Sequence, residues 1–345
     1  MKACYIIAEA GVNHNGDESI AMQLVEQASK TGANAVKFQT FKAESIVTKY
    51  AETAQYQKSN TGNKTQFGML KSLEISEGLH RKLLQRCNEL NIDFLSTPFD
   101  IDSAHFLVGL GIKKIKVSSG DITHLPFLKQ LAEFNLPIIL STGMSELFEI
   151  NEAITSIKDT REAIGFKESL GSILSLLHCT SNYPADFKDA NLNAIKTIAK
   201  AFSLPVGYSD HTLGNLASIV AVSMGSKIIE KHFTIDKNMS GPDHETSLDP
   251  SEFKEMVDSI RKVELLFGHK DKKPTGSEIS VRSLVRRSIV WAVEKSAGQI
   301  IKHEDLICLR PGDGLAPKNI EIIIGKTINA NVKAGALVSW DEIIK

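Results

Sequence analysis

Eight short β-rich runs recur along the first two thirds of the chain, several closing on polar or charged residues, and they limit the fold more than any other feature. They are 4-CYIIAEAG-11, 35-AVKFQT-40, 92-IDFLSTPF-99, 113-KKIKVSSGD-121, 137-PIILSTG-143, 173-ILSLLHCTSNY-183, 205-PVGYSDHT-212 and 227-KIIEKHFT-234. The segments between them read as amphipathic helices. In 18-ESIAMQLVEQASKTGA-33, Ile20, Leu24, Val25 and Ala28 share one face, and 77-EGLHRKLLQRCNEL-90 has the same periodicity. Eight strand-helix units over roughly 250 residues predict a (β/α)8 barrel, whose strands are buried on both faces. A doubly wound open sheet competes, but no GxGxxG follows the first run. In a barrel the polar run ends converge on one rim, the C-terminal rim where such enzymes keep their sites.

The remaining composition narrows the class. The 345 residues, 42% of them hydrophobic, are enough for one large domain and something smaller. A formal net charge of −1 with interleaved signs offers no basic stripe for nucleic acid. No apolar run approaches the roughly 20 residues that span a bilayer, and Glu9 and Asn13 interrupt the start too early for a signal peptide. A cytoplasmic protein without a membrane partner is expected. Cys4, Cys87, Cys179 and Cys308 form no CxxC pair and are expected as free thiols.

The stretch 268-GHKDKKPTGSE-278 is charged and poor in apolar residues and reads as a linker. Beyond it, short β runs separated by turns predict a small, mostly β module. The expected organisation is therefore a barrel over 1–267, a linker over 268–284 and the module over 285–345. Within the module, 310-RPGDGLAP-317 places Arg310 before a Pro-Gly-Asp-Gly turn that can hold its guanidinium in a fixed place.

His211 and His232 end consecutive strands and can approach one ion, since neutral imidazole is the commonest metal-binding side chain. Two such ligands suit a catalytic site with open positions rather than a closed structural zinc site. Taken singly, a histidine is more often a hydrogen-bonded structural ring; the pairing at adjacent strand ends is what distinguishes these two. Glu9, in 8-AEAGVNHNG-16, is a candidate third ligand, base or partner for water. Lys37, Lys116, Ser119, Ser141, Ser209 and Thr97 supply ammonium and hydroxyl donors from several strands and together can bind a phosphate and a carboxylate. A single lysine among them, taken in isolation, is more often solvated or paired with a carboxylate, although one inside the strand end VKFQT is harder to read that way. The polar loop 238-NMSGPDHETSLDP-250 is placed to close over a polyol.

In order along the chain, AEAGVNHNG, VKFQTF, LSTPFD, KVSSGD, ILSTGM, LLHCTSNYP, GYSDHT, IEKHFT, SGPDH and RPGDG resemble the bacterial sialic acid synthases, the phosphoenolpyruvate-dependent nonulosonic acid synthases. The resemblance runs from the first strand to the last module. It implies a (β/α)8 barrel followed by a small antifreeze-like (SAF) domain, in a domain-swapped homodimer whose small domain covers the partner's barrel mouth. It implies a divalent metal held by His211 and His232, manganese with magnesium or cobalt as substitutes, and Glu9 close to the reacting centre. Lys37, Lys116, Ser119, Ser141 and Ser209 would hold phosphoenolpyruvate, with Thr97 and Tyr183 beside them. Gln39, Asp121 and Asp243 would face the N-acetylated amino sugar, and Arg310 would reach its N-acyl group from the neighbouring subunit. Asp121 stands where many members carry Glu, and Ser181 where some carry Asn.

The implied reaction joins phosphoenolpyruvate to an open-chain sugar, consumes water and expels phosphate by C–O cleavage. N-acetylmannosamine would give N-acetylneuraminate, and 2,4-diacetamido-2,4,6-trideoxymannose would give N,N′-diacetyllegionaminate. The alternatives are a pseudaminate synthase, a phosphoenolpyruvate-dependent barrel synthase acting on a sugar phosphate, which should carry more arginine at the rim, and a metal-dependent pyruvate aldolase, which would release no phosphate. A non-catalytic ice-binding role for the last module leaves the donors at the barrel rim unexplained.

Overall fold

A strand covered on both sides needs apolar side chains at successive positions, and the eight runs supply them. The computed structural model describes residues 3–49, 51 and 65–344. Its first eight strands are β1 (Tyr5–Gly11), β2 (Ala35–Thr40), β3 (Asp93–Pro98), β4 (Ile115–Val117), β5 (Ile138–Ser141), β6 (Leu174–Cys179), β7 (Val206–Asp210) and β8 (Ile228–His232). They pair in parallel in the order β3-β2-β1-β8-β7-β6-β5-β4. β4 lies against β3 and closes the sheet into the expected (β/α)8 barrel.

The helices start where side chains satisfy their first free N–H groups. Asp17 accepts from the Ile20 N–H ahead of Glu18–Lys30, and Ser76 from the Leu79 N–H ahead of Glu77–Glu89. The buried face of the first helix is Ala21, Leu24, Val25 and Ala28, with Ile20 packed at its margin. No helix among the described residues is long and apolar enough to cross a membrane. All four cysteines are free thiols.

Inside the barrel, alternate residues stack in layers. Near the N-terminal end the Tyr5 hydroxyl donates to Asp93 at 2.6 Å and the Lys114 ammonium sits 4.6 Å from the centre of the Tyr5 ring. Above this, Ile7, Ala35, Leu95, Ile139, Leu177 and Ile228 form an apolar plug. Gly207 is glycine for lack of room: a Cβ there would run into the backbone oxygen and side chain of Ile228 and into Leu177. The outward-facing residues of the same strands join the helices in the main hydrophobic core.

The chain divides into two compact units, Met1–Gly268 and His269–Lys345. In the second, β9 (Ser288–Trp291) and β10 (Leu306–Leu309) form an antiparallel pair, and the rest is held by single bridges and short turns. Its own core contains Ile289, Trp291, Ile301, Ile323, Ile328, Val332, Val338 and Ile343. The segment expected as a linker is not wholly irregular. A helix spans Gly276–Val285, started by a capping box between Thr275 and Glu278, and none of its side chains is buried.

Candidate active site

Two residues beyond the apolar plug, every strand presents a side chain to the barrel interior, and here the interior turns polar. Ile7 is followed by Glu9, Ala35 by Lys37, Leu95 by Thr97, Ile139 by Ser141, Leu177 by Cys179, Gly207 by Ser209 and Ile228 by Glu230, and β4 contributes Lys116. Another two residues along come Gln39, His211 and His232. These side chains line one cavity of about 460 Å³.

The floor is an ionic network. The Lys37 ammonium lies 2.7 Å from Glu9 Oε2 and 3.7 Å from Glu230 Oε2, and donates to Thr97 Oγ1 at 3.1 Å. Lys116 donates to Ser141 Oγ at 2.7 Å and to the Val117 carbonyl at 3.1 Å, with Glu230 Oε1 3.5 Å away. Ser209 Oγ donates to Glu230 Oε1 at 3.0 Å, and Gln39 reaches Glu9 Oε1 at 3.4 Å. Burial pushes the Glu9 carboxyl up to about 7, against the pull of Lys37 and with the repulsion of Glu230. For Glu230, burial is outweighed by Lys116 and Lys37, so its carboxyl stays below the ordinary range. Burial leaves Lys116 below its usual value, whereas Glu230 and Glu9 outweigh burial at Lys37 and hold it above. One carboxyl in this cluster can therefore exchange a proton near neutrality while the other stays ionised.

At the mouth, the His211 and His232 rings have centres 5.4 Å apart, and the Tyr183 ring lies 4.1 Å from the first and 5.5 Å from the second. His211 Nδ1 is 2.7 Å from the Thr180 carbonyl, which holds a proton on Nδ1 and leaves Nε2 to face the cavity; Cys179 and this carbonyl outweigh burial and keep the His211 pKa above its ordinary value. Burial, reinforced by the positive character of His211, keeps the His232 pKa well below the ordinary value, so its ring is neutral. Its buried Nδ1 has no hydrogen-bond partner among the described residues, and Asp243 Oδ2 lies 3.9 Å away. The His211 ring, held through Nδ1 by a backbone carbonyl, and the neutral His232 ring with its orphaned Nδ1 fit a divalent ion as donors, the ion displacing any proton on His211 Nε2. Among the described residues no group of three or more His, Cys, Asp or Glu side chains is arranged to hold one.

Of the side chains expected at the site, Glu9, Lys37, Gln39, Thr97, Lys116, Ser119, Ser141, Tyr183, Ser209, His211, His232 and Asp243 all line this cavity. Asp121 does not. It ends the single turn Ser119–Asp121 after β4, its Oδ2 is buried without a partner among the described residues, and burial pushes its carboxyl up to about 6. Arg310 belongs to the second unit. Glu230 and Cys179 were not expected, yet both line the cavity floor. Their signal lay in the strand period, two residues before His232 in one case and two after Leu177 in the other. One further wall is apolar: Val12, Met69, Leu70, Leu73 and Phe99, drawn from a small cluster under the helix Gln66–Ser72.

The chain matches the NeuB family over residues 24–272 and the SAF domain over residues 286–344. It is 50% identical over 341 residues to the N,N′-diacetyllegionaminic acid synthase of Legionella pneumophila, covering 99% of this chain and 94% of that one. It is 44% identical to the N,N′-diacetyllegionaminic acid synthase of Campylobacter jejuni, over 98% of this chain and 99% of that one. Among solved structures, it is similar to an N-acetylneuraminic acid synthetase from Leptospira borgpetersenii in complex with citrate, with 33% identity, a TM-score of 0.70, and coverage of 81% of this chain and 90% of that one.

Proposed function

This chain belongs to the NeuB family, and on that premise we propose that it condenses phosphoenolpyruvate with 2,4-diacetamido-2,4,6-trideoxymannose to form N,N′-diacetyllegionaminate and phosphate. The observation that carries the reading is the layered cavity: a floor of two ammonium and two carboxyl groups two residues below a pair of imidazoles. The similarity to two synthases of that name supports the choice of product.

Each group has a part in this reaction. Lys37 and Lys116 face the phosphate and carboxylate of phosphoenolpyruvate, with Thr97, Ser119, Ser141 and Ser209 as hydroxyl donors and Tyr183 alongside. Gln39 and Asp243 face the sugar; Asp121, outside the cavity lining, takes no part in this reading. His211 and His232 hold a divalent ion, manganese or in its place magnesium or cobalt, which when bound supplies Lewis-acid polarisation of a carbonyl oxygen. The methylene carbon of phosphoenolpyruvate bonds to C1 of the open-chain sugar, and a water oxygen bonds to C2 of the enol phosphate. Glu9, whose carboxyl titrates near neutrality, accepts the water proton and can return it to the sugar C1 oxygen. The bond from C2 to the bridging oxygen then breaks as the new C2 hydroxyl becomes the keto oxygen, and phosphate leaves with the bridging oxygen and the hydroxyl proton, its charge met by the lysines.

Two features of the walls bear on the sugar. Apart from Lys37 and Lys116, both already paired at the floor, no lysine or arginine is among the described residues lining the cavity. Among the described residues of this cavity, a phosphate on the sugar would meet no counter-charge of its own. The apolar wall of Val12, Met69, Leu70, Leu73 and Phe99 suits the methyl carbon of a 6-deoxy sugar better than a hydroxymethyl group. An apolar wall discriminates against one hydroxyl by about 10–100-fold. The resemblance further supports a homodimer in which Arg310 serves the neighbouring subunit's sugar, acting in the cytoplasm.

The test is phosphate release from phosphoenolpyruvate, with and without manganese, offered the diacetamido sugar, its altrose-configured isomer and N-acetylmannosamine. Manganese-dependent release is expected with the first, with kcat/KM about tenfold or more lower for N-acetylmannosamine. Faster turnover of N-acetylmannosamine would make the protein a sialic acid synthase, and preference for the isomer a pseudaminate synthase. Release with none of the three would sink the reading.

A further inference from the structure

The period of two that turns His211 and His232 into the cavity turns their neighbours Asp210 and Lys231 the other way, towards the helices. There the two side chains form an ion pair, Nζ to Oδ2 3.2 Å, with neither side chain exposed at all. The backbone ladder between β7 and β8 ends at these same residues, with Asp210 opposite Lys231, so His211 has no ladder partner on β8. Across the seam at that point runs a side-chain tie instead: the Lys231 ammonium donates to the carbonyl of Thr212. Asp210 grips the same turn from within, its Oδ1 accepting from the Thr212 N–H at 2.9 Å and the Thr212 hydroxyl at 2.8 Å. Its Oδ2 accepts from Ser218 at 2.6 Å, which anchors the turn to the following helix. The residues on both sides of His211 are thus fixed to each other and to the residue preceding His232.

We infer that the buried Lys231–Asp210 pair is a positioning device that sets the spacing of the two imidazoles for a shared divalent ion. Stability alone does not call for it, because a buried ion pair is commonly no better than well-packed apolar residues of the same size. What an apolar pair cannot supply is a donor to the Thr212 carbonyl from the strand that carries His232. Groups that orient metal-binding histidines typically contribute 10–100-fold to metal affinity.

The inference rests on the proposed metal site, and the experiment separates the two. Manganese binding to the full-length protein is measured by calorimetry for the unmodified protein, for His211→Ala, and for the double variant Asp210→Asn/Lys231→Met. The double variant leaves no unpaired charge and keeps an acceptor for Thr212, but removes the tie across the seam. It is expected to bind manganese at least tenfold more weakly, with a KM for phosphoenolpyruvate within about twofold of the unmodified protein and an unchanged far-ultraviolet spectrum. Unaltered manganese affinity in the double variant, with binding lost in His211→Ala, would overturn the inference and leave the metal site standing. If the unmodified protein does not bind manganese, or His211→Ala binds it equally well, the metal site fails and the inference with it. Should the double variant not fold, Lys231→Met alone carries the same test, since Asp210 keeps its donors from Thr212 and Ser218 while the tie to the Thr212 carbonyl is lost. Binding at least tenfold weaker is expected, and unchanged affinity would contradict the inference.

Discussion

The two faces of the same strands both carry buried charge, and they treat it differently. On the helix side, Asp210 has three hydrogen-bond donors besides Lys231, so its charge is fully met within the protein. On the cavity side, Lys37, Lys116, Glu9 and Glu230 share one another at distances from 2.7 to 3.7 Å, and their carboxyls are driven in opposite directions. Saturated charge holds the scaffold. Unsaturated charge, facing a cavity, is available to a substrate that brings its own phosphate and carboxylate.

Removing a group from each face should break this comparison in different ways. On the cavity side, Glu9→Gln is expected to lower kcat by about 10²–10⁴-fold with little change in Tm, since it removes a proton acceptor and leaves an isosteric amide; steady-state kinetics beside a thermal melt would check it. Equal losses of activity and stability would mean that the floor is scaffold after all. On the helix side, Asp210→Ala strands the Lys231 charge and should cost about 3–5 kcal/mol of stability, measured by chemical denaturation. A loss below about 1 kcal/mol would show that Lys231 finds other partners.

A smaller effect is expected where no charge is involved. Gly207→Ala forces a methyl group into the plug beneath the floor and should cost about 1–3 kcal/mol, without a specific effect on KM for either substrate. The smallest is a pH effect at His14 and His244, which lie outside the ionic floor. Burial, helped by His80 and His244, takes His14 down to about 4, and burial, against the pull of Asp236, does the same for His244. Between 4 and the unfolded value near 6.5 the unfolded chain binds more protons than the folded one. Their contribution is therefore intact above pH 6.5 and is lost as the pH falls towards 4. Going from pH 7 to 5.5 should cost about 1 kcal/mol per histidine. Tm against pH should fall less steeply in His244→Asn than in the unmodified protein.

Much of the barrel was legible because local signals agreed. The eight runs, their helical spacers and their polar ends all point to one architecture. What was missed depends on register. Glu230 and Lys231 are adjacent charges before His232, and sequence alone does not say which faces the cavity; pairing with β1 and β7 decides it. The lysines were read as anion donors with no particular carboxylate partner named, because those partners come from other strands, far away in sequence. Asp121 sits in a turn rather than a strand, so the period of two does not govern where it points. In the last unit the β runs are too short and too often interrupted by glycine turns to form ladders beyond β9 and β10. The helix Gly276–Val285 was foreshadowed by 275-TGSE-278, a capping-box pattern hidden in a charged stretch.

The most direct test of the central claim uses phosphoenolpyruvate carrying ¹⁸O in the bridging position, with the diacetamido sugar and manganese. Mass spectrometry should find the label in the released phosphate and an unlabelled nine-carbon 2-keto acid as the other product. Label retained on the sugar acid, or phosphate released without a new carbon–carbon bond, would contradict the account.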